Sequence, residues 1–204
     1  MDLRERFRDL WARLGAKGNP DEVFADLVKR YSEPHRFYHN LDHWEFGLSQ
    51  FGLLADLASL PDLVEFAYGF HDSIYIIGAR DNEEQSAELA LEVAQRIGLG
   101  QIEQTKIADL ILVTKHDKYP STIDQEIIVD IDLAILGQES FVFDDYEREV
   151  RAEYASVDEA TFWKIRKGIL QGFLDRSRIY FTDRFQARYT LQAKENLLRT
   201  ISSH

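Results

Sequence analysis

Apolar residues recur at helical spacing along almost the whole of this chain. Leu3, Phe7, Leu10, Trp11 and Leu14 lie on one face of a first helix, because residues three or four positions apart share a helix face. Similar faces follow, separated by glycines and by the asparagine, proline and aspartate residues that end one helix and begin the next. The pattern predicts an all-α fold.

The composition and length predict one compact helical domain over residues 1–204. Hydrophobic residues make up 45% of the chain, and no linker, repeat or low-complexity segment divides it; this length suits a single domain. No apolar run reaches the roughly 18 residues of a membrane span, and the first residues do not resemble a secretory signal. We therefore expect a cytoplasmic protein that has no membrane partner. The oligomeric state is not readable from these features.

The absence of cysteine and the excess of acidic residues exclude several function classes. A chain with no cysteine has no thiol nucleophile, no disulfide and no thiolate zinc site. Its formal net charge of -12 repels nucleic-acid phosphates, so a DNA or RNA duplex is not an expected partner. Any metal ion has to be held by histidine, aspartate, glutamate or water.

A His-Asp pair ends one of the most apolar segments, at His71 and Asp72. Burying an imidazole and a carboxylate there costs several kcal/mol unless each finds a partner, roughly 2–7 kcal/mol for a polar group. A divalent cation would satisfy both side chains. The alternative is that the two bond to each other or to backbone groups at a helix end.

A second histidine cluster lies between residues 35 and 43, which hold three of the six histidines. His39 and His43 are four apart, so one helical turn would place them on the same face. Asn40 stands where the metalloprotease motif requires glutamate, so that interpretation fails. A long helix is predicted for residues 43–60. The alternative for the cluster is a polar, aromatic helix start.

The stretch 126–137 contains two aspartates in a strongly apolar context. Its β-branched residues would by themselves suggest a strand, but an all-helical neighbourhood offers no strand partner, so we predict a buried helix. On that helix Asp132 shares the apolar face, and Asp130 lies roughly 200° away. An aspartate on an apolar face needs a strong partner, which can also be an arginine. Three further helices are predicted near 144–154, 158–176 and 183–201, with Ile165 and Ile169 pointing inward.

The order of these residues resembles the H…HD…D signature of the HD superfamily of metal-dependent phosphohydrolases. The resemblance covers most of the chain and is closest to small, uncharacterised members of that superfamily. Residues 193–197 match less well. The stretches that carry the resemblance are 36–43, His71-Asp72, 82–86, 129–137 and 150–154.

The resemblance implies a fold of the HD type and a bound divalent metal, which can be Mn, Mg, Ni, Co, Zn or Fe. The implied metal ligands are His43, His71, Asp72 and Asp132. His43 is preferred to His39 because the first ligand of the superfamily begins a long helix. Asp132 is preferred to Asp130 because it matches the second aspartate of a D-x-D form. The implied chemistry is hydrolysis of a phosphoester, with Asp72 also acting in catalysis.

Further residues near the motifs are candidates for contacts with the substrate. Phosphoryl transfer needs positive groups around the phosphoryl oxygens, and Arg36, Arg80 and Lys115 flank the motifs; ordinary surface charge is the alternative. Glu83 is a candidate for positioning water or moving a proton, with stabilisation of a helix start as the alternative. The remaining candidates for substrate binding, or for ligands of a second metal, are His39 and His116.

The predicted function is metal-dependent hydrolysis of a small phosphorylated substrate, such as a nucleotide. Two alternatives stay open. One is a helical module that binds a metal and a nucleotide without turnover. The other is a di-iron oxygenase related to the HD fold, which needs additional histidines. The chain offers His39 and His116 but no further pair near His116, which counts against the oxygenase.

Overall fold

Ten α-helices make up most of residues 2–203, which are the residues described by the computed structural model. No strand occurs in this part of the chain. None of these helices combines the length and apolarity needed to cross a membrane. In chain order they are α1 (Leu3–Arg13), α2 (Pro20–Tyr31), α3 (Leu41–Phe51), α4 (Pro61–Phe70), α5 (Asn82–Arg96), α6 (Gln101–Leu112), α7 (Ile123–Asp132), α8 (Ser140–Glu153), α9 (Glu159–Leu174) and α10 (Asp183–Ser203).

Polar side chains fix the first residues of several helices. The Asp2 side chain accepts hydrogen bonds from the amides of the first turn of α1, and Asn19 does the same for α2. Asn40, Thr122 and Asp158 cap α3, α7 and α9. Each cap satisfies backbone donors that have no partner within the helix, worth about 1 kcal/mol.

Helix α4 occupies the centre of the domain. Every residue from Leu63 to Phe70 is buried, and the helix packs against α1, α3, α5, α6 and α7. Its one buried acid, Glu65, is paired with Arg6 at 2.5 Å and with Arg13 at 2.6 Å, both from α1. A buried carboxylate requires such partners. The carboxyl end of this central helix therefore lies inside the domain and not at its surface.

The ambiguous stretch around residues 126–137 is helical, as predicted. Helix α7 ends at Asp132 and continues directly into a 3₁₀ segment, Leu133–Gly137. Helix α10 packs on that segment so closely that a Cβ on Gly137 would lie 2.5 Å from the Cβ of Tyr189. Because every residue of Ile127–Ile131 is buried, the helix has no solvent face there, which explains its strand-like composition.

The long helix predicted for residues 43–60 is wrong in its second half. Helix α3 ends at Phe51, and only a short 3₁₀ segment, Ala55–Leu57, follows. The backbone N–H of Ser59 donates to the carboxylate of Asp124 on α7 at 2.7 Å. A side chain from another helix therefore takes up backbone donors here, and the segment turns toward α4 instead of continuing as a helix.

The prediction that Ile165 and Ile169 point into the core is also wrong. These residues are 58% and 47% exposed. The buried face of α9 instead includes Arg166, whose guanidinium binds the carboxylate of Glu147 on α8 through two nitrogens, at 3.0 and 2.5 Å. This buried pair sets the rotation of α9 about its axis and turns the two isoleucines toward its flank.

Candidate metal centre

Three helix ends bring four potential metal ligands together. The Asn40 cap places His43 in the first turn of α3. His71 directly follows the last residue of α4, with Asp72 next to it, and Asp132 is the last residue of α7. Helices α3, α4 and α7 pack against one another, so their ends meet at one point in the interior.

Each imidazole lies within contact distance of the other imidazole and of both carboxylates. The Nε2 atoms of His43 and His71 are 3.2 Å apart. The nearest Asp72 oxygen lies 3.0 Å from the His71 nitrogen and 3.4 Å from that of His43. An Asp132 oxygen lies 3.4 Å from each imidazole nitrogen. Together, His43, His71 and Asp132 form a group that can hold a metal ion.

These separations fit the dimensions of a small divalent ion. With metal–ligand distances of about 2.1 Å, neighbouring ligands are roughly 3.0 Å apart in an octahedron and roughly 3.4 Å apart in a tetrahedron. The contacts of both imidazoles with Asp72 and Asp132 span the same range, 3.0–3.4 Å. Nitrogen and carboxylate oxygen are donors for Zn, Fe, Mn, Co or Ni. The residues therefore fit the ion that the sequence predicts.

Hydrogen bonds on the far side of each imidazole set its orientation. The Nδ1 atom of His71 lies 2.7 Å from the carbonyl oxygen of Tyr68. A carbonyl only accepts, so Nδ1 carries a proton, and Nε2 is the nitrogen that faces the carboxylates and could bind a metal ion once it loses its own proton. The Nδ1 atom of His43 lies 3.1 Å from the hydroxyl of Tyr38. Such outer contacts hold ligating histidines in place in metal centres.

Gly47 on α3 gives Tyr68 its position, since a Cβ at residue 47 would lie 2.0 Å from Cζ of that ring. Tyr68 is fully buried and cannot move aside. We expect Gly47→Ala to lower the free energy of unfolding by about 1–3 kcal/mol, as measured by chemical denaturation. Gly168 on α9 is the control, because a Cβ there contacts nothing within 4 Å. Gly168→Ala should raise the free energy of unfolding by about 0.5–1 kcal/mol, since alanine favours a helix over glycine. Equal stability of Gly47→Ala and wild type would contradict this account.

Burial and opposite charge both act on the pKa values of the ligands. Burial by itself lowers the pKa of each imidazole, but contacts with Asp72 and Asp132 outweigh it, so the pKa of His43 is raised and that of His71 is raised well above its usual value. Burial raises the pKa of both carboxyls, but the histidines outweigh it and hold both well below their usual range. The two carboxylates therefore favour the ionised form, and each imidazole is stabilised in its charged form by the same contacts.

Asp130 does not face away from the core, contrary to the prediction. It has no exposed surface, and its carboxylate accepts hydrogen bonds from the amides of Phe181 and Thr182 and from the Thr182 hydroxyl. Burial raises its pKa to about 7, although the bonds from Thr182 oppose this. Asp130 thus anchors the segment before α10, while Asp132 joins the ligand group.

His116 contacts the second oxygen of Asp132. Its Nε2 lies 2.8 Å from that oxygen, and its backbone has φ of +60°, in the left-handed region that non-glycine residues rarely adopt. The Arg176 side chain donates to the His116 carbonyl at 2.6 Å, and the Phe173 ring lies 5.8 Å away. An unfavourable backbone conformation held by such contacts is common at functional sites.

Glu153 organises the loop before α3, a role that was not predicted from the sequence. One carboxylate oxygen accepts hydrogen bonds from the three consecutive amides of residues 37–39, at 2.8–3.0 Å. The other lies 2.7 Å from Nδ1 of His39 and accepts from the Tyr75 hydroxyl at 2.9 Å. His39 precedes α3, so it does not share a helix face with His43. A signal was present in the sequence, since Glu153 falls on the apolar face of α8.

Arg36 is predicted to contact substrate, but its side chain is fully enclosed. Its guanidinium donates to the backbone carbonyls of His39, Asp72 and Ser73 and to the carboxylate of Glu33. These bonds connect the loop before α3 to the turn after α4. A phosphate contact would require them to break, so the contacts give Arg36 a positioning role.

The other candidates are divided between the cavity and the surface. Arg80 is exposed, and its carbonyl accepts a hydrogen bond from the Lys115 ammonium at 2.7 Å. Lys115 also pairs with Glu84, and it lines the same cavity as Glu83. Burial raises the pKa of Glu83, and the negative charge of Asp72 adds to this effect. Glu83 and Lys115 are therefore placed beside the ligand group, whereas the Arg80 side chain is not among the lining residues.

One cavity of about 460 Å³ opens beside the ligands, within the range of small-molecule sites. Its polar end contains three of the four potential ligands and several neighbours: His39, His71, Asp72, Glu83, Lys115, His116 and Asp132. The fourth potential ligand, His43, lies behind them. Much of the remaining wall comes from α8, α9 and the loop between them, and is apolar: Val150, Val157, Phe162, Ile165, Ile169 and Phe173.

Comparisons with protein-family models, curated proteins and solved structures found no match to this chain. His43, His71, Asp72 and Asp132, which a resemblance selected in the sequence, lie together in the structure.

Proposed function

We propose that this protein is a metal-dependent hydrolase of small phosphoesters with an HD-type fold. The observation that carries the proposal is the meeting of two imidazoles and two carboxylates at the end of a cavity, with imidazole–carboxylate distances of 3.0–3.4 Å. Their order along the chain is that of the H…HD…D signature. Four such ligands leave coordination positions open for water and substrate.

The ligand set suits a divalent ion in charge as well as in size. Two neutral imidazoles and two carboxylates balance two positive charges. When bound, such an ion polarises a phosphoryl oxygen and lowers the pKa of water, which makes hydroxide available near neutral pH. The carbonyl of Tyr68, the hydroxyl of Tyr38 and the imidazole of His116 keep the ligands oriented for this.

Two further residues act on the substrate in this proposal. Glu83 lines the cavity, and burial raises the pKa of its carboxyl. A carboxylate of this kind orients the attacking water and takes up its proton. Lys115 lies on the same wall, where Glu84 and the Arg80 carbonyl hold its ammonium. From this position, the Lys115 ammonium offsets negative charge on the phosphoryl oxygens of the substrate.

The proposal is tested on protein purified without chelator or nickel affinity resin. Elemental analysis comes first, followed by addition of Mn, Mg, Ni, Co, Zn or Fe to metal-stripped protein. We expect one ion per chain, a higher melting temperature with metal, and release of phosphate from phosphomonoesters or nucleotides only when metal is present. Absence of metal binding and of thermal stabilisation would refute the metal centre. Bound metal without phosphate release would leave a binding module, and oxygen-dependent turnover with iron would indicate an oxygenase.

A further inference from the structure

The cavity runs from the ligand end directly onto an apolar wall. The Phe173 ring lies 5.8 Å from the His116 ring, which in turn contacts Asp132. On the other side, the Tyr146 ring lies 4.5 Å from that of Tyr38. A phosphoryl group at the ligands therefore has its ester substituent directly against apolar and aromatic side chains.

Ile165 and Ile169 add an exposed apolar surface to this wall. They lie one turn apart on α9, are 58% and 47% exposed, and both line the cavity. Exposed apolar side chains that border a cavity gain free energy when an apolar ligand covers them. A sugar or another polyhydroxylated group would instead lose hydrogen bonds to water here without replacing them.

The charges around the cavity limit the number of phosphoryl groups. Among the lining residues in 2–203, the lysine and arginine side chains are Lys115 and Arg166. Lys115 is paired with Glu84, and Arg166 is enclosed and bound by Glu147 and by the Tyr146 hydroxyl. The ionised carboxylates of Asp72 and Asp132 would already balance the two positive charges of a bound divalent ion. No unpaired lysine or arginine is left along this wall to neutralise a second or third phosphoryl group.

On these grounds, and resting on the proposed function, we propose that the natural substrate class is a phosphomonoester with one phosphoryl group and an apolar, ring-sized organic part. The phosphoryl group lies at the ligand end beside Lys115. The organic part lies between α8 and α9, covering Ile165 and Ile169. In this proposal, nucleoside triphosphates and sugar phosphates are poor substrates.

Binding of two phosphonates that are not hydrolysed tests the apolar part of the proposal. Calorimetric titration of the Mn-loaded protein compares benzylphosphonate with 2-hydroxyethylphosphonate, which differ chiefly in the ring. We expect benzylphosphonate to bind at least about tenfold more tightly, from burial of the ring at about 25 cal/mol per Å². Phosphate release then tests whether the cavity accepts one phosphoryl group but not three. We expect kcat/KM for phenyl phosphate to exceed that for adenosine triphosphate by at least about tenfold.

Variants of α9 locate the effect in the wall. Ile169→Asn should lower the benzyl-to-hydroxyethyl affinity ratio about fivefold. Ile102 is the control, being 72% exposed on α6 and absent from the cavity lining, and Ile102→Asn should leave the ratio unchanged. Equal binding of the two phosphonates, or preference for the triphosphate, would overturn the substrate class while the hydrolase proposal stands. If Mn binds but neither phosphonate does and no phosphomonoester is hydrolysed, both proposals fail.

Discussion

Replacing Asp72 by alanine is expected to abolish metal binding and phosphate release while the fold survives. The Asp72 carboxylate lies 3.0 Å from His71 and 3.4 Å from His43, and it faces the cavity. Because the carboxylate borders the cavity and is not part of the hydrophobic core, its loss removes a ligand and leaves the core packing in place. We expect kcat/KM to fall at least about a thousandfold, equivalent to about 4 kcal/mol of transition-state stabilisation.

The melting temperature with and without Mn separates loss of metal from loss of fold. At a free metal concentration of 100 times Kd, wild type gains about 2.7 kcal/mol, which raises Tm by roughly 5–10 °C for a chain of this size. Asp72→Ala should remain folded, with a cooperative melting transition, and should show no rise in Tm with Mn. Asp109 on α6 is the control, since it is exposed and absent from the cavity; Asp109→Ala should behave as wild type. Full activity in Asp72→Ala would refute the assignment.

Replacing Glu153 by alanine is expected to destabilise the domain by about 3–5 kcal/mol. The side chain has no exposed surface, and it accepts hydrogen bonds from three consecutive amides and from the Tyr75 hydroxyl. Its loss leaves those buried donors without a partner, at about 1–3 kcal/mol each before relaxation. Urea unfolding measures the change. A loss below about 1 kcal/mol would contradict the role assigned to Glu153.

The Glu153 carboxylate is expected to make the folded state less stable at acidic pH. Burial raises its pKa, but the contact with His39 and the backbone amides outweigh burial and lower the pKa to about 2, from the usual value of 4.5. The folded state thus favours the ionised form, which contributes about 3 kcal/mol above pH 4.5 and loses it as pH falls toward 2. Glu153→Gln has no such titration. Its stability deficit relative to wild type should shrink by about 2 kcal/mol between pH 6 and pH 3; a constant deficit would contradict the assignment.

Local patterns in the sequence were enough to predict an all-helical chain and most of its helices, although not the end of α3 at Phe51. The cap at Asn19 and the apolar periodicity depend on residues a few positions apart, so they can be predicted without the fold. The position of His71 and Asp72 at the end of an apolar helix and that of Asp132 on an apolar face also follow from local pattern. That these side chains meet does not, because it depends on how α3, α4 and α7 pack.

The tertiary structure decided which polar residues are buried and which groups they contact. Glu153 lies 114 residues from His39 along the chain, yet their side chains are 2.7 Å apart. Asp130 is enclosed by the segment before α10, although helical periodicity placed it away from the core. Arg166 lies on the buried face of α9 because Glu147 pairs with it, and Ile169 therefore faces the cavity. In each case a partner distant in sequence compensates the desolvation of a charged group, and local spacing contains no information about that partner.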